Sequence, residues 1–144
     1  MDTIRYRLPR ERVMTEKILK IEEKEFGLEG SSYYYDGFII TTDKQVIKMG
    51  IESGQSCCEN YGYFMTNDNV EDFIGSSLLS VNVVDKSLNI TKLESLELME
   101  AITMFVNFET DIGTLQFTAY NEHNGYYSHG AVIESKQLKE TMSL

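Results

Sequence analysis

The chain has 144 residues, of which 42% are hydrophobic and 25% charged, and its formal net charge is −10. That length buries a sizeable core in one domain without staples, and the only cysteines, Cys57 and Cys58, are adjacent, which excludes a disulfide scaffold. No apolar run approaches the ~18 residues of a membrane span, and Met1-Asp2-Thr3-Ile4-Arg5 opens no signal-peptide core, so a cytoplasmic protein without membrane contact is expected.

Residues 1–12 are polar and basic, hold the only proline (Pro9), and read as a loosely held arm; residues 13–134 read as the globular domain. Val13 to Phe26 suits two structures. Met14, Ile18 and Ile21 fit a helix of mixed charge, whereas Ile18-Leu19-Lys20-Ile21-Glu22 fits a strand. Tyr33-Tyr34-Tyr35 leads through the turn dipeptide Asp36-Gly37 into Phe38-Ile39-Ile40-Thr41-Thr42. Asp43-Lys44-Gln45 then turns the chain into Val46-Ile47-Lys48-Met49-Gly50-Ile51, which makes a hairpin rich in β-branched residues.

Gly54 to Met65 reads as a loop of small, polar and aromatic residues. Val70 to Ile74 fits one helical turn, preceded by the cap formers Asn67-Asp68-Asn69 and ended by Gly75. Ser77 to Val84 has strand composition. Residues 86–103 read as an irregular excursion with a short helix around Leu93 and Leu96. Met104, Val106 and Phe108 then alternate with Phe105, Asn107 and Glu109, the period of a half-buried strand. Asp111-Ile112-Gly113 turns the chain, and Leu115, Phe117 and Ala119 repeat the pattern. After Asn121 to Gly125, Tyr126 to Ile133 resumes it as the third strand of a meander, and residues 135–144 read as a polar tail. The expected fold is α+β: one small domain dominated by an antiparallel sheet, built from a hairpin and a C-terminal three-stranded meander, with one or two short helices.

Four groups of residues bear on function. Cys57, Cys58, Glu59, His123 and His129 have the donor types of a zinc site, but adjacent cysteines lack the usual spacing. A cysteine nucleophile with a histidine base needs a cation or helix N-terminus to lower the thiol pKa, and the local sequence is acidic. No phosphate loop, dinucleotide fingerprint or nucleophile elbow is present. No cofactor or metal and no enzymatic activity are therefore expected. Eight tyrosines (Tyr33, Tyr34, Tyr35, Tyr61, Tyr63, Tyr120, Tyr126 and Tyr127) supply rings of the kind enriched at protein interfaces.

Charge is the fourth feature. Residues 1–24 hold seven bases against five acids, a net of +2, whereas residues 49–135 hold two bases, Lys86 and Lys92, against thirteen acids, a net of −11. Such a body repels nucleic acid and attracts basic surfaces. Direct nucleic-acid binding is thus disfavoured, and a basic partner protein is favoured.

Two stretches carry a family resemblance. Gly54-Gln55-Ser56-Cys57-Cys58-Glu59-Asn60, followed by Asn69-Val70-Glu71-Asp72-Phe73-Ile74-Gly75-Ser76-Ser77-Leu78-Leu79, resembles a Cys-Cys-Glu segment and a downstream acidic, apolar Ile-Gly element of small uncharacterised phage and prophage proteins of Gram-positive bacteria. Asn124-Gly125-Tyr126-Tyr127-Ser128 is similar to their Asn-Gly-Tyr-Tyr-Ser signature. The similar region runs over about residues 38–134, while the basic arm has no counterpart and residues 86–103 depart from the pattern. The resemblance implies phage origin and, by analogy, an inhibitor of host defence of the anti-CRISPR kind.

The expectation from sequence is therefore an inhibitor acting in the host cytoplasm. It would bind a nuclease or effector component and mimic nucleic acid through Glu59, Tyr61, Tyr63, Asp68, Glu71, Asp72, Glu122 and Tyr126. The alternative is a sponge for a small nucleotide messenger, with Asn124, Tyr126 and the Cys57-Cys58-Glu59 loop lining a pocket. Either is compatible with a homo-oligomer.

Overall fold

The computed structural model describes residues 15–54, 59–123 and 128–144. Their β-branched and aromatic runs form nine strands, in chain order β1 (Glu16–Gly27), β2 (Tyr34–Thr42), β3 (Val46–Glu52), β4 (Glu59–Met65), β5 (Ser77–Val84), β6 (Ile102–Thr110), β7 (Gly113–His123), β8 (Gly130–Glu134) and β9 (Lys139–Ser143). All neighbours are antiparallel in one sheet ordered β4-β7-β6-β5-β1-β2-β3-β8-β9. Helical structure among the described residues is a single 3-10 turn at Val70–Phe73 and the five-residue α1 (Ile90–Glu94). The α+β expectation is thus corrected to a mostly β domain, because neither segment is long enough to form a layer of its own.

Within the ambiguous stretch 13–26, residues 13 and 14 lie outside the described residues, and from Glu16 on it forms β1, the corner of the sheet. Its first residues, Glu16 and Lys17, pair with β5, and after a register shift between Ile18 and Lys20 the rest pairs with β2. Such an irregularity bends and twists a strand. The two halves consequently face each other across one core. Phe38, Ile40, Met49 and Ile51 from β2 and β3 meet Val106, Phe108, Leu115 and Phe117 from β6 and β7. Phe38 and Phe117 touch edge to face, with centroids 6.2 Å apart.

The β2–β3 hairpin, the β6–β7 hairpin and β5 form where the alternation places them, and Met104, Val106, Phe108, Leu115, Phe117 and Ala119 all lie in the core. Other expectations are corrected. β8 joins β3 and β9 rather than β7, so the expected C-terminal meander of β6, β7 and β8 does not form. Residues 135–144 are not a free tail: β9 closes the sheet edge, and Leu144 is buried.

Asp36-Gly37 does not turn. Gly37 sits inside β2 opposite Gly50, where a Cβ would lie 2.0 Å from the Met49 carbonyl oxygen. Only glycine allows that approach. Gly50 leaves room for Phe26, which stacks on Tyr35 at 5.8 Å and forms a second small cluster with Ile39 and Val132. The basic arm at residues 1–12 lies outside the described residues.

Candidate partner-binding surface

The stretch read as a loop from Gly54 to Met65 contains β4, an edge strand paired with β7 through Glu59↔His123 to Met65↔Phe117. Strand periodicity turns Glu59, Tyr61, Tyr63 and Met65 to one side. Glu59 is therefore no exposed contact residue. Its side chain is 0% exposed, and Oε2 lies 2.5 Å from His129 Nε2, while Nδ1 of the same ring lies 2.9 Å from the Glu52 carbonyl oxygen. A carbonyl only accepts, so Nδ1 carries a hydrogen. The Nε2–carboxylate contact engages the second ring nitrogen.

Tyr61 stacks on the same imidazole with centroids 4.1 Å apart. The backbone of His129 exchanges two hydrogen bonds with Leu144, and Asn121 Nδ2 donates to the Leu144 carbonyl. Glu59 and His129 thus latch the β4 edge to β3, β8 and β9. Of the five residues grouped by sequence for metal or nucleophilic chemistry, Glu59, His129 and, in register across the ladder, His123 converge. Cys57 and Cys58 lie outside the described residues, as do Asn124 and Tyr126. With both ring nitrogens engaged, His129 ties strands together and has no nitrogen left to act as a base.

The tyrosines of β4 are half-buried braces. Tyr63 packs between Phe38 (5.7 Å) and Phe117 (6.1 Å), and its hydroxyl donates to Glu23 Oε2 at 2.7 Å. Burial first, and then that hydrogen bond, drives the phenol above its ordinary value of 10.0. Burial likewise raises the phenols of Tyr61 and Tyr120. Tyr33 and Tyr34, at 60% and 63% exposed, are the freely presented rings.

The remaining predicted acids divide by partner. Asp68 is bound by Lys92 Nζ at 2.9 Å, and the same ammonium also donates to the Met65 carbonyl and stands 5.4 Å over the Phe64 ring. Glu122 is half-buried, because its Oε2 accepts from the backbone N–H groups of Met99 and Glu100. Glu71 and Asp72 stand exposed on the 3-10 turn, and neither side chain has a partner among the described residues. Val70 and Phe73 of that turn face the core, so the turn is pinned from beneath. Of the acids expected from sequence to contact a partner, Glu71 and Asp72 are therefore the most available.

The connection from β5 to β6, residues 85–101, is the irregular excursion with a short helix expected from sequence, with α1 as that helix, but no site was expected there. Polar side chains hold it against the sheet. Gln116 Oε1 accepts from Leu88 N–H, and Gln116 Nε2 donates to the Lys86 carbonyl. Asn89 caps α1 through Lys92 N–H and donates to the Thr66 carbonyl. Between this arm and the outer face of β6 opens a cleft of ≈ 560 Å³, floored by Phe105 and walled by Ile90, Leu93 and Leu98. A cue existed in the sequence, since seventeen residues between paired strands exceed the usual hairpin connection.

Among the described residues no helix is long and apolar enough to cross a membrane. A family model described as a domain of unknown function, DUF7448, matches residues 11–133. No curated protein and no solved structure matches the chain.

Proposed function

The chain belongs to the DUF7448 family, and from that premise we propose that it is a non-catalytic binding protein that occupies a basic surface of a nucleic-acid-handling host protein. The observation that carries this reading is how the charge is spent. Lys92 is taken up by Asp68, the Met65 carbonyl and the Phe64 ring, while Glu71 and Asp72 are presented on a turn anchored through Phe73. Unpaired acids held by a rigid base meet a basic groove with little ordering cost. Tyr33 and Tyr34 add exposed rings able to act as anchors.

The closed Glu59–His129 pair supports a structural rather than a catalytic use of this carboxylate–imidazole contact. Phage origin, carried by the Gly54–Asn60 and Asn124–Ser128 motifs, gives such binding a purpose: blocking a defence nuclease or effector by covering its nucleic-acid channel. The inhibitor would act stoichiometrically and without cofactor.

The test is affinity capture from lysate of a Gram-positive host, with wild type and Glu71→Lys/Asp72→Lys side by side. The expected result is a nucleic-acid-binding protein retained by wild type, lost with the double variant, and displaced by competing duplex DNA or RNA. Retention that ignores both the charge reversal and the competitor would contradict the proposal.

A further inference from the structure

The cleft beside β6 has features that the fold itself does not require. Long connections in small domains are commonly functional, and this one is fixed at both ends by hydrogen bonds from Gln116, Asn89 and Glu122 rather than by apolar packing. Its apolar side chains are accordingly presented to solvent: Leu88, Ile90 and Ile102 are about half exposed and Met99 is 93% exposed. Single exposed apolar residues are ordinary, but Ile90 forms part of the wall of an apolar cleft together with Leu93, Leu98 and Phe105. Glu97, at φ 54°, holds the left-handed conformation within the same arm, a strain that side chains tolerate only where the surroundings enforce it.

Charge selects the occupant. Asp85 and Glu94 line the cleft, and Glu97 and Glu100 stand exposed on the same arm, against Lys86 as the base not already held by Asp68. An anionic ligand would meet repulsion, and a neutral lipid tail would leave the acids without a purpose.

We infer that this cleft docks a basic amphipathic helix of a partner protein, with apolar anchors on the Phe105, Ile90 and Leu93 surface and lysines or arginines against Glu94 and Glu97. Helix-in-groove recognition of this type places anchors at i, i+3, i+4 and i+7. The inference rests on the reading of the chain as a binder of basic protein, and names a second surface for that partner apart from Glu71 and Asp72.

The experiment uses a fluorescein-labelled synthetic helix of leucine and lysine with that spacing, followed by anisotropy. Two control peptides accompany it: one with glutamate in place of each lysine, and one with the leucines scrambled off the helical face. The leucine–lysine helix should bind and both controls should fail. Ile90→Asp, at a half-exposed position that leaves the core intact, and Glu94→Lys/Glu97→Lys should each weaken binding by roughly tenfold or more, whereas Glu71→Lys/Asp72→Lys should leave it nearly unchanged.

Equal binding of the glutamate peptide, or indifference to both cleft variants, would overturn the inference. So would a dimer in sedimentation that Ile90→Asp dissolves, because the occupant would then be a second copy. If peptide binding follows Glu71 and Asp72 instead, the cleft falls and the acidic turn stands. If peptide binding follows the cleft while wild type captures no basic host protein, the functional proposal fails and the cleft remains a site for basic helices.

Discussion

The latch between Glu59 and His129 makes a prediction whose size follows from its geometry. The Glu59 side chain is 0% exposed and the His129 side chain 6%, so solvent screens the pair little. Replacing one member leaves a buried polar or charged group without its partner, which costs about 3–5 kcal/mol. Glu59→Leu and His129→Phe should each lose that much, a large part of the ~5–15 kcal/mol that stabilises an ordinary domain. The double variant removes both polar groups and retains a ring for Tyr61 to stack on. It should cost no more than the milder single change, which leaves an interaction energy of roughly 3 kcal/mol. The assay is urea unfolding: with a slope of ~1–3 kcal/mol per molar, each single variant should lower the midpoint by at least ~1 M. Single costs under about 1 kcal/mol that simply add in the double variant would refute the latch.

Two further outcomes follow from the same core. Phe117 is fully buried and touches rings from both halves of the sheet, Phe38 and Tyr63, so Phe117→Ala should cost about 3–5 kcal/mol in a denaturant titration. Because folding raises the Tyr63 phenol, its contribution is complete below the unfolded value near 10 and is lost as pH rises beyond it. The melting temperature of wild type should therefore fall on moving above pH ~10 more steeply than that of Tyr63→Phe; parallel curves would contradict the assignment.

The sequence made local periodicity readable and long-range pairing unreadable. Met104 to Ala119 announces its hairpin because apolar residues alternate and Gly113 marks the turn. In β4 a similar alternation, Tyr61-Tyr63-Met65, is masked by the inward carboxylate of Glu59 and by Gly62, both of which read as loop. The acid is tolerated inside only because His129, seventy residues away, meets it. The placement of β8 beside β3 likewise depends on partners far along the chain, which no local pattern encodes. Gly37 looks like half of a turn until Gly50 is seen opposite it.

At the surface, net charge was legible but its allocation was not. Glu122 and Asp68 could not be told from Glu71 and Asp72 until their partners were visible. β9 is polar apart from Met142 and exposed, so its composition does not separate an edge strand from a tail.

If Glu71 and Asp72 steer the chain onto a basic partner, the association kinetics carry the signature. Binding to the captured host protein should be followed by surface plasmon resonance across a salt series. Opposite charges accelerate encounter, and salt screens them over roughly 8–10 Å. The association rate of wild type should fall steeply with added salt, while Glu71→Lys/Asp72→Lys should start slower, depend less on salt, and melt like wild type, since exposed charges contribute little to stability. An association rate flat across salt and equal in the two proteins would contradict the claim.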